Sequence, residues 1–181
     1  MKVIECALPE VKIIEPEVFG DARGYFFEAW NGEKFRNAGL DFQWIQDNES
    51  KSSYGVVRGL HYQLPPCAQA KLVRVIYGRV VDVAVDIRKD SPTFGKYVAV
   101  ELSGENKYQL FIPRGFAHGF AVLSDEAVFA YKCDNTYMPS HERGIAFNDP
   151  ALDINWPLDL KKCIMSARDL VNPPLAEAEL L

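Results

Sequence analysis

Arg79-Val80-Val81-Asp82-Val83-Ala84-Val85-Asp86-Ile87-Arg88 is the run whose period decides the fold. Its odd positions Val81, Val83, Val85 and Ile87 make one apolar face, while Val80, Asp82, Ala84, Asp86 and Arg88 fall on the other. A period of two belongs to a strand and not to a helix. Outward from this run, short Val/Ile/Tyr/Phe-rich stretches recur at 72–77, 97–102, 107–112, 120–123 and 128–132, separated by turn residues such as Gly78, Ser91-Pro92 and Ser124-Asp125. This rhythm, which runs from Val56 onward, predicts an all-β sandwich or barrel. Helix is expected only at the periphery. Asn31 caps a short helix over 32–38 with Gly39 beyond its end, and a weak helical turn is expected near 166–170. Pro157, Pro173 and Pro174 keep the C-terminal quarter largely irregular, and no repeat or linker divides the chain, so 1–181 reads as one domain.

A chain of 181 residues is long enough to bury a core without disulfide or metal staples. Its 20 Lys and Arg against 25 Asp and Glu give a net charge of −5, with the basic residues scattered, which argues against a nucleic-acid surface. The cysteines Cys6, Cys67, Cys133 and Cys163 form no CxxC pair, and reduced thiols are the simpler reading. Glu5 and Glu10 interrupt any signal-peptide apolar region, and no apolar run approaches the roughly 20 residues needed to span a bilayer. A cytoplasmic protein with no membrane partner is expected.

The chemistry-bearing stretch is Arg58-Gly59-Leu60-His61-Tyr62-Gln63-Leu64-Pro65-Pro66-Cys67-Ala68-Gln69-Ala70-Lys71. It sets an anion clamp, a base and an electrophile in a segment otherwise poor in charge. The chain has only 3 histidines, His61, His118 and His141, and imidazole is the side chain best suited to exchange protons near neutral pH. A base that removes a carbon-bound proton needs a partner to hold its tautomer and an electrophile for the developing enolate, a role open to Lys71. Arg58 and Arg23 have the planar fork that suits a phosphate, although each also reads as an ordinary surface charge. Asp82 and Asp86 read either as the solvated face of their strand or as the lining of a pocket, in which case Asp82 could pair with His118.

Pro113-Arg114-Gly115-Phe116-Ala117-His118 has the P-x-G-x-x-H spacing of a second cupin motif, but the H-x-H of the first appears here as His61-Tyr62-Gln63. With His141 far along a polar loop, a three-histidine metal shell is hard to build, and no metal is expected. Tyr131 and Tyr137 lie six apart, and spacing alone assigns neither a role.

Together these residues resemble the dTDP-4-dehydrorhamnose 3,5-epimerase family of metal-free, cupin-like enzymes. The resemblance is carried by Asp21-Ala22-Arg23-Gly24, Gln46-Asp47-Asn48-Glu49-Ser50, Arg58-Gly59-Leu60-His61-Tyr62-Gln63, Lys71, Ile112-Pro113-Arg114-Gly115-Phe116-Ala117-His118-Gly119-Phe120, Tyr131, Tyr137 and Ser166-Ala167-Arg168-Asp169. It implies a cupin-like jelly roll or β-sandwich with short peripheral helices, needing no cofactor. It implies that His61 is the base, oriented by Asp169, that Tyr131 returns a proton from the other face, and that Lys71 stabilises the enolate. It further implies that Tyr137 stacks on thymine, and that Arg23, Glu28, Gln46, Asn48, Arg58, His118, Glu142 and Arg168 hold a dTDP-sugar. A homodimer is implied, with the N-terminal segment around Phe19 and Phe26 completing the neighbour's site. The activity implied is inversion of dTDP-4-dehydro-6-deoxy-D-glucose at C3 and C5. Rival readings are an epimerase of one centre only, a metal-dependent cupin oxygenase and a non-catalytic nucleotide-sugar binding module.

Overall fold

The run from Arg79 to Arg88 becomes a strand buried on both of its faces. In the computed structural model, which describes residues 1–180, it forms a strand at Arg79–Asp86 with only Arg79 exposed. In chain order the strands are β1 (Lys2–Glu5), β2 (Lys12–Glu15), β3 (Val18–Asp21), β4 (Gly24–Phe27), β5 (Gln46–Ser53), β6 (Val57–Gln63) and β7 (Lys71–Tyr77). They continue as β8 (Arg79–Asp86), β9 (Tyr97–Ser103), β10 (Gln109–Ile112), β11 (Phe116–Val122), β12 (Glu126–Cys133) and β13 (Glu142–Gly144). One α-helix, α1 (Gly32–Asn37), lies between β4 and β5, and 3-10 turns stand at Leu160–Lys162, Asp169–Val171 and Leu175–Glu177.

Two antiparallel sheets face one another, in the orders β1-β2-β10-β7-β12-β5 and β13-β6-β11-β8-β9. Neighbours in a sheet are mostly distant in sequence, so the chain crosses repeatedly between the layers, as in a jelly roll. The expected all-β, cupin-like sandwich with short peripheral helices is what forms. The β3–β4 hairpin pairs only with itself.

Both faces of β8 are covered, for different reasons. Val80 and Ala84 join Val73, Phe120 and Phe129 between the two sheets. Val81, Val83, Val85 and Ile87 pack outward against Ile145, Phe147, Leu152, Trp156 and Leu175. The proline-rich C-terminal quarter, irregular as expected, is therefore a second apolar layer over the five-stranded sheet. Neither Asp82 nor Asp86 is on a solvated face, since both are 0% exposed. Asp86 accepts from Arg88, Ser91 and Thr93, which together close the turn after β8.

Element boundaries differ from expectation where local bonding decides. Asn31 Oδ1 accepts from the backbone N–H groups of Glu33 and Lys34 at 3.1 Å, and α1 ends at Asn37 with Ala38 as its cap. The turn expected at 166–170 forms as a 3-10 turn at Asp169–Val171. β10 starts two residues later than the 107–112 reading, at Gln109, and β11 four residues earlier than the 120–123 reading, at Phe116. The five strands before Val56 were not foreseen. β5 shows why: Gln46, Asn48, Ser50 and Ser52 alternate with the exposed Asp47, Glu49, Lys51 and Ser53, so polarity alternates with polarity and no apolar period appears.

Candidate active site

In an uninterrupted strand Arg58 and His61, three residues apart, would point to opposite faces. β6 avoids this with a bulge. His61 stands opposite His118 and Arg58 opposite Phe120, so three steps along β6 match two along β11. The bulge needs Gly59, whose φ is +113° and on which a Cβ would meet Gly119 Cα at 2.6 Å and His118 O at 2.7 Å. Both polar side chains thereby enter the same cleft between the sheets, while Leu60 turns into the outer apolar layer.

Asp169 arrives from the C-terminal quarter, and its Oδ1 lies 2.5 Å from His61 Nε2. Burial pushes the Asp169 carboxyl up, but the bonds from His61, Ser166 and the Gly59 backbone outweigh it and hold the group below its ordinary range. It is therefore an ionised acceptor, His61 Nε2–H donates to it, and Nδ1 is the nitrogen left for chemistry. The Asp169 backbone N–H is itself bonded to Ser166 Oγ at 3.1 Å. Ser166 Oγ thereby ties down the start of the turn that presents this carboxylate.

The facing wall is built by register on the six-stranded sheet. Lys71, Cys133 and Gln46 form one cross-strand row of β7, β12 and β5, and Val73, Tyr131 and Asn48 the next. Tyr131 stands beside Phe129, which stacks on Phe120 at 4.2 Å between ring centroids. Burial pushes the Tyr131 phenol above its usual value, so it holds its proton at neutral pH. Burial lowers the Lys71 ammonium, while Cys133, Asp82 and Glu142 act on it in the opposite sense. Arg58 is steadied by Ser52 Oγ at 3.0 Å, a bond that crosses from one sheet to the other.

Two clefts of about 520 and 310 Å³ share His61, Lys71, Tyr131 and Glu142 in their walls. The first also takes in Arg58, His118, Arg168 and Asp169, the second Gln46, Asn48 and Tyr137. At the rim Glu142 accepts from both the Tyr137 hydroxyl and Arg168. His118 Nε2 lies 3.0 Å from Asp82 Oδ2 in the interior, as the pairing hypothesis required. Gln63 is a staple that spacing could not reveal: its amide donates to Cys67 O and Thr136 O and accepts from Met138 N, tying together the two loops beside the cleft.

Phe19, Arg23, Phe26 and Glu28 are not brought into this cleft within one chain. Arg23 pairs with Asp21 at the hairpin tip, and Glu28 pairs with Lys34 at 2.9 Å. Phe19 and Phe26 are 56% and 68% exposed. Among the described residues no three His, Cys, Asp or Glu side chains are grouped so as to hold a metal ion, and no helix is long and apolar enough to cross a membrane.

The sequence profile described as dTDP-4-dehydrorhamnose 3,5-epimerase matches residues 5–177. A dTDP-4-dehydrorhamnose 3,5-epimerase of Shigella flexneri is 54% identical over 180 residues, 99% of this chain and 98% of that one. The crystal structure of dTDP-6-deoxy-D-glucose-3,5-epimerase RmlC from Legionella pneumophila, in complex with dTDP-4-keto-L-rhamnose, superposes with a TM-score of 0.94 at 48% identity and covers 97% of this chain and 93% of its own. ChmJ, a 3'-monoepimerase from Streptomyces bikiniensis solved with dTDP-quinovose, superposes with a TM-score of 0.90 at 36% identity, covering 95% and 87%. A profile match over nearly the whole chain, relatives at about half identity and a shared sandwich make this chain an isomerase of the dTDP-4-dehydrorhamnose 3,5-epimerase family.

Proposed function

We propose that this enzyme converts dTDP-4-dehydro-6-deoxy-D-glucose to dTDP-4-dehydro-L-rhamnose by inverting C3 and C5, with His61 as the base and Tyr131 as the returning acid. The observation that carries the reading is the 2.5 Å His61–Asp169 bond in a cleft that Lys71 and Tyr131 share. The 4-keto group acidifies the protons on both neighbouring carbons. His61 Nδ1 takes one of them, the C–H electron pair moves into the enolate, and Lys71 faces the charge that gathers on O4. Tyr131 gives its hydroxyl proton to the opposite face of the same carbon, which inverts it. The phenol is then reprotonated and His61 discharged through solvent, so the enzyme returns to its starting state.

The nucleotide lies along the second cleft in this reading, with Gln46, Asn48, Glu142 and Arg168 around it, Tyr137 on the thymine, and Arg58 and His118 toward the sugar. The working form is a cytoplasmic homodimer in which Phe19, Arg23, Phe26 and Glu28 of one chain close the other chain's cleft. The self-paired hairpin and its exposed aromatics support that assignment. Proton NMR of the 4-keto sugar nucleotide in deuterated water tests the function. Deuterium at both C3 and C5 is expected; at one carbon only it makes this a single-centre epimerase, and at neither it overturns the enolate mechanism.

A further inference from the structure

Asp169 reaches His61 from a turn with little apolar anchorage of its own. Leu170 and Val171, which follow it, are 67% and 79% exposed, so burial does not pin the Asp169–Val171 turn to the sheet. The next residue does lie against the sheet. Asn172 lays its carboxamide over Gly144 of β13, where an added methyl would come within 2.5 Å of both Cγ and Oδ1 of Asn172. Gly144 is also the residue opposite His61 in the β13–β6 register. Its φ lies outside the left-handed region, so the backbone there would accept any residue, and it is the Asn172 carboxamide that fills the space a side chain would take.

The amide is not held there by its own hydrogen bonds, because Asn172 Nδ2 is buried without a partner among the described residues. The chain just beyond it is fixed instead. Pro173 O accepts from Ala146 N at 2.8 Å, and Leu175 N donates to Asp149 Oδ2 at 2.6 Å. Asn172 thus sits between that anchored stretch and the turn carrying Asp169, flush against the strand that neighbours His61.

We infer that Gly144 and Asn172 are positioning residues of the reaction: the amide seated on a strand position without a side chain sets the height of the Asp169 turn, and with it the contact between Asp169 and His61. The inference rests on the reading of His61 as a base oriented by Asp169. A methyl at 144 would unseat the Asn172 amide, and the turn carrying Asp169 would lose its rest on the strand. Neither residue touches substrate, so binding should change little while proton abstraction suffers.

Gly144→Ala should lower kcat about 10- to 100-fold, the size expected of a displacement near 1 Å, with KM within about twofold of wild type. It should also weaken or shift the downfield proton resonance of the short His61–Asp169 hydrogen bond. Asn172→Gly unseats the turn from the other side and should have the same two effects, and combining it with Gly144→Ala should add little, because one contact is lost in either case. In an Asp169→Asn background, Gly144→Ala should cost nothing further. Unchanged kcat and resonance in Gly144→Ala, fully additive losses with Asn172→Gly, or additive losses with Asp169→Asn would each overturn the inference. Should Gly144→Ala not fold, Asn172→Ala decides: a fall in kcat with a broadened resonance supports the seat, and wild-type values for both overturn it. The resonance needs no substrate, so a wild type inert on the 4-keto sugar would refute the proposed activity and leave this test standing.

Discussion

The molecule holds two histidine–aspartate pairs, and comparing them shows how one chemical unit takes two roles. His61–Asp169 joins a bulged strand to the C-terminal quarter across 108 residues of sequence, with the His61 side chain 30% exposed. His118–Asp82 joins two adjacent strands of one sheet, with the His118 side chain 7% exposed and Asp82 at 0%. Burial acts on both carboxyls, but only Asp169 gathers enough donors to end below its ordinary range, whereas Asp82 ends above its own. Burial likewise lowers His118, with Asp82 pulling the other way. Open to the cleft and backed by an ionised carboxylate, His61 is built to accept a proton and pass it on. Almost wholly buried, with only an edge of the His118 ring reaching the cleft, the His118 pair is built to stay as it is.

The comparison breaks most sharply at His61. Asp169→Asn keeps the shape of the pair but removes its charge and the preference for one tautomer. Turnover is expected to fall about 10³- to 10⁴-fold, with substrate affinity largely kept. Steady-state epimerisation and solvent deuterium exchange measure this together, and a variant with near-wild-type turnover would remove the distinction between the pairs. Asp82→Ala should read out the other way. Loss of the buried acceptor leaves His118 without a partner in the interior, and urea unfolding should show about 3 kcal/mol of lost stability. If Asp82→Ala unfolded like the wild type, the inner pair would not be the structural member.

Tyr131→Phe sharpens the outer pair by separating its two half-reactions. His61 can still lift the substrate proton, so deuterium should continue to enter, while net inversion falls about 10²-fold for want of a proton from the opposite face. Equal loss of exchange and inversion would remove Tyr131 from the role of returning acid.

What was legible in the sequence follows from which faces are apolar. β8 announced itself because the face it turns to the C-terminal layer, Val81, Val83, Val85 and Ile87, is apolar throughout and gives the run its period of two. β5 stayed hidden because its inward row, Gln46 to Ser52, lines a polar cleft and carries no apolar period. The stretch from Arg58 to Lys71 was readable as chemistry through its scarce charges, but that Arg58 and His61 share a face depends on a bulge at Gly59, and a bulge is set by the neighbouring strand. Asp169 was reached through resemblance and not through spacing, since contacts spanning 108 residues leave no local pattern. The hairpin aromatics were visible as a cluster; one chain by itself does not bring them to the cleft.

Lys71 gives the smallest and most discriminating prediction, because its charge acts on both His118 and Asp82 of the inner pair while its side chain opens on the outer pair's cleft. Burial holds its ammonium below the usual lysine value. Below the folded-state value both folded and unfolded chains carry the proton, and the folded state bears the whole cost of keeping a charge away from water. As pH rises through the folded-state value, the folded chain releases the proton first. The unfolded chain then binds more protons than the folded one, so stability rises with pH until about 10.4, the unfolded lysine value, is passed. Lys71→Met removes that cost. It should unfold about 1 kcal/mol later than the wild type at pH 7, and the difference should close as pH climbs through that window. Thermal unfolding from pH 7 to 10.5 measures both effects. A Lys71→Met protein that is less stable at pH 7 would show that the ammonium is held by attraction to Asp82 and Glu142 more than it is penalised by burial. The two histidine pairs would then be coupled through a favourable charge and not merely separated by one.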